Sequence, residues 1–216
     1  RSRTGQGGGA AIGVQEVRRQ LFVGGGFVVH GQQAALGGVV VALAVLVFDG
    51  RPVLYFSERM KTPDRAFALV KFRSMRVAAS DSGVSGGDKA ARIGRLGSFL
   101  RRSRLDELPQ LWNVLRGDIS FVGPRPPLRQ YVERFPDLYA KVLKSRPGIT
   151  GVATLTFHRH EEWLLANSKD PAETDAIYVR ACIPRKARLD LLYQQRRNLC
   201  LDAKLMAKTV FRRIPL

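Results

Sequence analysis

At 216 residues the chain is long enough for one domain of ordinary size with its own core, and nothing in its length demands a second. Lys and Arg number 36 against 18 Asp and Glu, a formal net charge of +18, so an anionic partner is expected: nucleic acid, anionic lipid or a phosphorylated substrate. The two cysteines, Cys182 and Cys200, form no CxxC and have no His at metal spacing; they exclude a disulfide framework, favour a reducing compartment and read as ordinary buried thiols.

Residues 1–13, RSRTGQGGGAAIG, have no hydrophobic period and read as a flexible lead-in. From Leu21 to Phe48 the chain turns apolar, densest in LGGVVVALAVLVF, a run of 13 residues against the roughly 20 that a spanning helix needs. A terminal apolar block followed at once by Asp49, Gly50 and a basic remainder reads as a membrane-associated helix, interfacial or re-entrant, with a buried core helix as the alternative. PVLYFSE and AFALVKFRSM, joined by MKTPDR, predict a β-hairpin that delivers Lys71, Arg73 and Arg76 at its exit. Residues 79–89 are a loop by composition, and RIGRLGSFLRR is a helix with Ile93, Leu96, Phe99 and Leu100 on its apolar side.

Within DELPQLWNVLRG, Leu108, Leu111, Trp112 and Leu115 fall at i, i+3, i+4 and i+7 and predict one amphipathic helix, with Gly117 placed to end it. Pro109 is tolerated only in a first turn, which makes Asp106 a candidate N-cap. Downstream, LRQYVERFPDLYAKVLKS is helical with an interruption at Pro136, and RPGITGVATLTF reads as loop and strand. Residues 185–213 hold nine Lys or Arg against two Asp around an interrupted apolar stripe, a basic amphipathic helix or pair of helices.

The block at 101–126 sets two adjacent carboxylates, Asp106 and Glu107, among Arg101, Arg102, Arg104 and Arg125. Such a field suits a phosphate or diphosphate, and it should keep Asp106 ionised. A carboxylate beside a phosphoryl group can attack it covalently, while its neighbour binds Mg²⁺. The competing reading is a helix cap in a basic structural segment.

KFRSM at 71–75, LDELPQLWNVLRGDISFVGPRP at 105–126 and RPGITG at 146–151 together resemble, in order, the motifs of the bacterial sugar transferases, the monotopic polyprenyl-phosphate phosphoglycosyl transferases. The resemblance implies transfer of a sugar 1-phosphate from a UDP-sugar to polyprenyl phosphate, with release of UMP, at the cytoplasmic face of the bacterial inner membrane. It implies Asp106 as nucleophile, Glu107 as its catalytic partner, and Mg²⁺ held by Glu107 and Asp106. It further implies substrate or phosphate contacts from Lys71, Arg73, Arg101, Arg125 and Asp175. Three departures bear on these expectations, one being that RRQLFV at 18–23, where an RLFD-like opening is expected, has no acid after the phenylalanine. The family's Ser-Pro break in the apolar helix has no counterpart before Pro52, and the family's WAQVNGR is replaced by VATLTFHRHEEW. His158, His160, Glu161 and Glu162 in that replacement raise a metal site as an alternative to a specificity loop or strand end.

The expected architecture is α+β and mostly helical, with a small β-hairpin, an N-terminal apolar helix and basic amphipathic C-terminal helices. Its parts are a lead-in over 1–20, a membrane-associated segment over 21–50 and a catalytic domain over 51–216. The expected partners are a UDP-sugar, polyprenyl phosphate and an anionic membrane surface, with no nucleic acid; homo-oligomerisation is left open. A nucleic-acid-binding module and a non-catalytic membrane scaffold are the alternatives from other classes. The regular interleaving of aromatic with basic residues that single-strand stacking prefers is missing.

Overall fold

The computed structural model describes residues 27–78, 84 and 86–211. The expected lead-in over 1–20, the start of the apolar segment and most of the 79–89 loop lie outside the described residues. Contacts divide the chain into residues 1–41 and residues 42–216. Of the first unit the structure describes only the opening turns of helix α1 (Phe27–Asp49), which runs unbroken through Gly37 and Gly38. It stops where Gly50 takes φ +74, a left-handed turn that a side chain would resist. Among the described residues no helix is long and apolar enough to cross a membrane.

The second unit is α+β and mostly helical. Strands β1 (Leu54–Met60) and β2 (Ala66–Phe72) form the expected antiparallel hairpin, in register from Leu54 opposite Phe72 to Met60 opposite Ala66. Aromatic and branched residues favour the pleat, and the turn closes where Lys61 N–H donates to the Arg65 carbonyl at 2.8 Å. Helix α2 (Arg95–Ser103) packs on the strand exit, with Leu100 buried. A Cβ at Gly97 would stand 2.1 Å from the Ser74 carbonyl oxygen, so only glycine lets the helix approach so closely.

A 3₁₀ turn, Leu105–Glu107, leads into α3 (Gln110–Leu115), which Gly117 ends with φ +73. The apolar face of α3 points away from the core. Trp112 and Leu115 are 58% and 69% exposed, whereas Gln110 and Asn113 are buried. The cause is β2: Asn113 takes the place of a neighbouring strand, accepting from Val70 N–H at 3.0 Å and donating to the Ala68 carbonyl at 2.8 Å.

Strand β3 (Ser120–Val122) follows, then α4 (Arg129–Arg134) and α5 (Pro136–Val142), separated where Pro136 predicts a break. Strand β4 (Gly148–Thr150) lies parallel to β3, Ser120 opposite Gly148 and Val122 opposite Thr150. The backbones touch here, since a Cβ on Gly148 would meet the Gly123 nitrogen at 2.3 Å. The expected strand in VATLTF is instead the start of α6 (Val152–Leu165). Branched residues fit a helix when one face is buried, and Ala153, Thr154 and Phe157 are inside.

Helix α7 (Pro171–Ile177) is capped by Asp170, whose side chain accepts from Glu173 N–H at 2.8 Å. A π-helical turn, Tyr178–Cys182, joins it to α8 (Ile183–Arg196), and α9 (Leu199–Val210) begins at Asn198, which accepts from Leu201 N–H. The basic C-terminal stretch is thus a pair of helices. Met60, Tyr131, Tyr139, Phe157, Tyr178 and Ile183 belong to the main core, while Val122, Tyr193 and Leu205 hold α9 to the parallel strands. Cys182 is buried as expected, but Cys200 is exposed, because its place in the first turn of α9 faces away from that second cluster.

Candidate active site

The site is assembled from the hairpin, the turn after α2 and the segment after β3. Helix α2 ends at Arg104, which takes the left-handed conformation with φ 58, a non-glycine geometry that costs on the order of 1 kcal/mol. That reversal launches the 3₁₀ turn and turns Asp106 inward, where it is buried.

Asp106 is not the expected cap. Neither the 3₁₀ turn nor α3 carries a side-chain cap hydrogen bond, because α3 begins only after Pro109, itself in helical conformation. Nor does the cationic field lower its pKa. Burial raises it and adjacent Glu107 adds to the rise, together outweighing Lys71, Arg101 and Arg125. The expectation that the surrounding arginines set the direction of the Asp106 shift omitted this desolvation. A more basic carboxylate oxygen is also the better nucleophile.

Glu107 has the opposite electrostatics. Burial alone would raise its pKa, but Arg125, Lys71 and Arg104 overcome this and hold it down to about 2. Lys71 Nζ stands 3.5 Å and Arg125 Nη1 3.4 Å from its Oε1, and Arg104 Nη1 stands 3.8 Å from Oε2. Glu107 Oε2 is buried and accepts no hydrogen bond. Lys71 shifts the other way from a free lysine, down to about 8, through burial and the nearness of Arg125, against the pull of Glu107 and Asp106. Two carboxylates of opposite basicity therefore sit side by side, a pattern that separates chemical roles.

Four of the predicted residues, Asp106, Glu107, Lys71 and Arg125, come together here. Arg101 stands close enough to act on Asp106 electrostatically, but its Nε donates to Ser74 Oγ at 3.1 Å and its Nη2 to Met75 Sδ at 2.8 Å. It thus also locks the KFRSM exit onto α2. Arg73 points elsewhere. Its guanidinium donates to the carbonyls of Asp49, Gly50 and Arg51, tying the end of α1 to the hairpin. Cationic donors satisfy the carbonyls that a helix C-terminus leaves unpaired. Asp175 also lies apart from the dyad, accepting from Tyr131 Oη at 2.9 Å and Arg134 Nη1 at 2.8 Å, and so fastening α7 to α4.

Glu161 and Glu162 do not join the two histidines in a metal centre. Glu161 pairs with Lys186 at 3.0 Å, Glu162 with His158 at 3.4 Å, and His160 stacks on Trp163. Among the described residues no group of three or more His, Cys, Asp or Glu is arranged to hold a metal ion. The HRHEE segment nevertheless flanks the site. His158 is held below the ordinary imidazole value by burial, with Arg104 and Arg125 adding to the effect against Glu162. Glu161, singled out in the sequence only as part of a metal-site alternative, and Tyr178, which carries no local sequence signal, both act electrostatically on Arg125; they reach it from α6 and the π-turn through the tertiary fold. Arg59 of β1, brought down to about 10 by burial and Arg125, adds another cation that the sequence reading passed over.

The Asp106–Glu107 pair can offer two carboxylates to a divalent cation. Asp106 caps nothing and Glu107 Oε2 accepts no hydrogen bond, which suits an ion such as Mg²⁺ that takes one or two carboxylates and completes its shell with water and phosphate oxygens.

This chain is similar to a number of bacterial proteins, among them the following. It is 38% identical over 148 residues to a UDP-glucose:undecaprenyl-phosphate glucose-1-phosphate transferase of Xanthomonas campestris pv. campestris, a match covering 66% of this chain and 30% of that protein. With the Klebsiella pneumoniae protein of the same name it shares 34% identity over 178 residues, 81% of this chain and 35% of the relative. With a putative undecaprenyl-phosphate N-acetylgalactosaminyl 1-phosphate transferase of Bacillus subtilis it shares 42% over 110 residues, 47% of this chain and 62% of that protein. The chain thus spans about a third of the length of the first two relatives. The family model described as bacterial sugar transferase matches residues 32–214, a span that contains the hairpin, the acidic pair and the parallel strands, and the chain belongs to that family.

Proposed function

We propose that the protein transfers a sugar 1-phosphate from a UDP-sugar to a polyprenyl phosphate at the cytoplasmic face of the inner membrane, through a covalent phosphosugar on Asp106. The observation that carries this reading is the unequal pair: a buried aspartate of raised basicity that caps nothing, beside a glutamate fixed by three cations. In the first step Asp106 Oδ attacks the phosphorus that carries the sugar. The bond from that phosphorus to the bridging oxygen breaks, and UMP leaves with the electron pair. In the second step a phosphate oxygen of the lipid attacks the same phosphorus. The Asp106–phosphorus bond breaks, the lipid diphosphosugar departs and the carboxylate is restored.

Arg125 and Lys71 supply positive charge where the diphosphate must lie, and their hold on Glu107 keeps that charge positioned before substrate arrives. Glu107 and Asp106 would hold Mg²⁺, which when bound neutralises diphosphate charge. Exposed Val47 and Phe48 of α1, with Trp112 and Leu115 of α3, provide apolar groups for an anionic membrane surface that the net charge of +18 would attract.

The reading is tested by UMP release from a panel of UDP-sugars with undecaprenyl phosphate and Mg²⁺. At least one sugar is expected to release UMP over many turnovers when the lipid is present and no more than one UMP per protein without it, and absence of UMP with every sugar would sink it. Lys71 also sets an expected pH dependence. Its charge is present below about 8 and lost above, so kcat/KM should fall through the alkaline range. Lys71→Arg keeps its charge throughout, and its pH profile should lose the limb near pH 8 while its maximum falls about tenfold or more, since a planar guanidinium replaces a compact ammonium.

A further inference from the structure

An open groove of about 810 Å³ lies between Glu107 and the end of α9. Arg102, Arg104 and Glu107 make one part of its lining polar, while Leu108, Leu111, Ile149, Val210 and Phe211, with Thr209 among them, make the rest mostly apolar. The volume falls in the roughly 300–1,000 Å³ range of pockets that enclose small ligands. Val210 and Phe211 are 74% and 64% exposed, so the apolar side continues onto the surface. On α3 it adjoins outward-facing Trp112 and Leu115, where an apolar stripe left uncovered by the core marks an interaction surface.

We propose that this groove receives the lipid acceptor, its phosphate at Arg104 and the first isoprene units between α3 and the end of α9. The proposal rests on the reading of the reaction given above and specifies where its second substrate enters. Charge complementarity selects the occupant. A nucleotide sugar has phosphates to offer Arg102 and Arg104 but no hydrocarbon for Leu111, Ile149 and Phe211; a phosphate ending an isoprenoid chain matches both ends. Arg104 also holds a left-handed backbone, a strained non-glycine geometry of the kind that clusters at ligand sites. From that end of the groove a lipid phosphate oxygen would approach the phosphorus held on Asp106, next to Glu107. The new phosphorus–oxygen bond forms as the Asp106–phosphorus bond breaks, and the diphosphate leaves along the groove with its own lipid.

The test uses five-, ten- and fifteen-carbon isoprenyl phosphates, each below its micelle concentration and in one fixed detergent, so that membrane binding does not enter. Each isoprene unit leaving water for the groove is worth about tenfold or more in affinity, so the two units added from five to fifteen carbons should lower the wild-type acceptor KM at least about a hundredfold. In the double variant Val210→Asp, Phe211→Asp, whose positions are exposed and so tolerate the change in folding, that dependence should flatten to less than about threefold. Phe211→Leu, which keeps the wall apolar, should retain it. Equal chain-length dependence in wild type and double variant, or none in wild type, overturns the groove. Failure of wild type to release UMP from any UDP-sugar would instead overturn the reaction itself.

Discussion

Asparagine at position 106 is expected to abolish turnover, by at least about 10³-fold, while leaving the fold as stable as before or more so. The two halves of this expectation come from one property. Asp106 is buried with its pKa raised above the ordinary value, so the folded state binds its proton more tightly than the unfolded chain. Its stabilising contribution is present below the unfolded value, near 3.8, and is lost as pH rises through the folded value. Above the unfolded value the raised pKa is a cost to folding, and asparagine removes it along with the proposed nucleophile. Stability surrendered for reactivity is a mark of an active-site residue. Glu107 should behave in the opposite way. Its pKa is depressed from 4.5 to about 2, so it stabilises the fold above the unfolded value and loses that contribution only as pH falls toward 2. Glu107→Gln should therefore lower the thermal midpoint, because Lys71, Arg104 and Arg125 lose their common counter-charge. Thermal melts and UMP release on both variants check the contrast; a destabilised Asp106→Asn protein would contradict it.

Asn113→Ala is expected to have the largest effect on stability, a loss of about 2–4 kcal/mol. Asn113 is 2% exposed and makes three hydrogen bonds, from Val70 N–H at 3.0 Å, to the Ala68 carbonyl at 2.8 Å and to Asp118 Oδ2 at 3.2 Å. Alanine leaves a strand N–H and a carbonyl facing it without partners. The same bonds set the height of β2 against the turn that carries the dyad, so Lys71 should drift from Glu107 and activity should fall with stability. Urea denaturation would show the midpoint lowered with an unchanged slope. A stability change below about 1 kcal/mol would mean that the helix is held to the hairpin by other contacts.

Much of this site was legible in the chain. Asp106 and Glu107 are adjacent, Arg125 follows within one continuous block, and Lys71 sits at the exit of a hairpin whose alternation and turn residues are plain. The β-hairpin, the break at Pro136 and the stop at Gly117 follow from local chemistry, and local chemistry decided them. What the pattern could not show is which side of a helix the protein covers. Leu108, Leu111, Trp112 and Leu115 form an apolar stripe whichever way α3 faces; Asn113 satisfying the edge of β2 leaves Trp112 and Leu115 exposed and Leu108 and Leu111 half-buried. The basicity of Asp106 was likewise illegible. Counting arginines gives the sign of the surrounding charge, but burial, a tertiary property, exceeds it. Arg73 and Arg101 have structural partners that reading charge near a motif does not show. Arg73 serves three carbonyls at the end of α1, and Arg101 holds Ser74 and Met75 while it acts on Asp106 from a distance.

The most direct measurement is to mix the protein with a UDP-sugar labelled in the phosphate next to the sugar, without lipid, and to quench and digest it. The account predicts UMP released in an amount no greater than one per protein, with the label on the peptide containing Asp106 and discharged by added polyprenyl phosphate. UMP formed only when lipid is present, with no labelled peptide at any time, would contradict it.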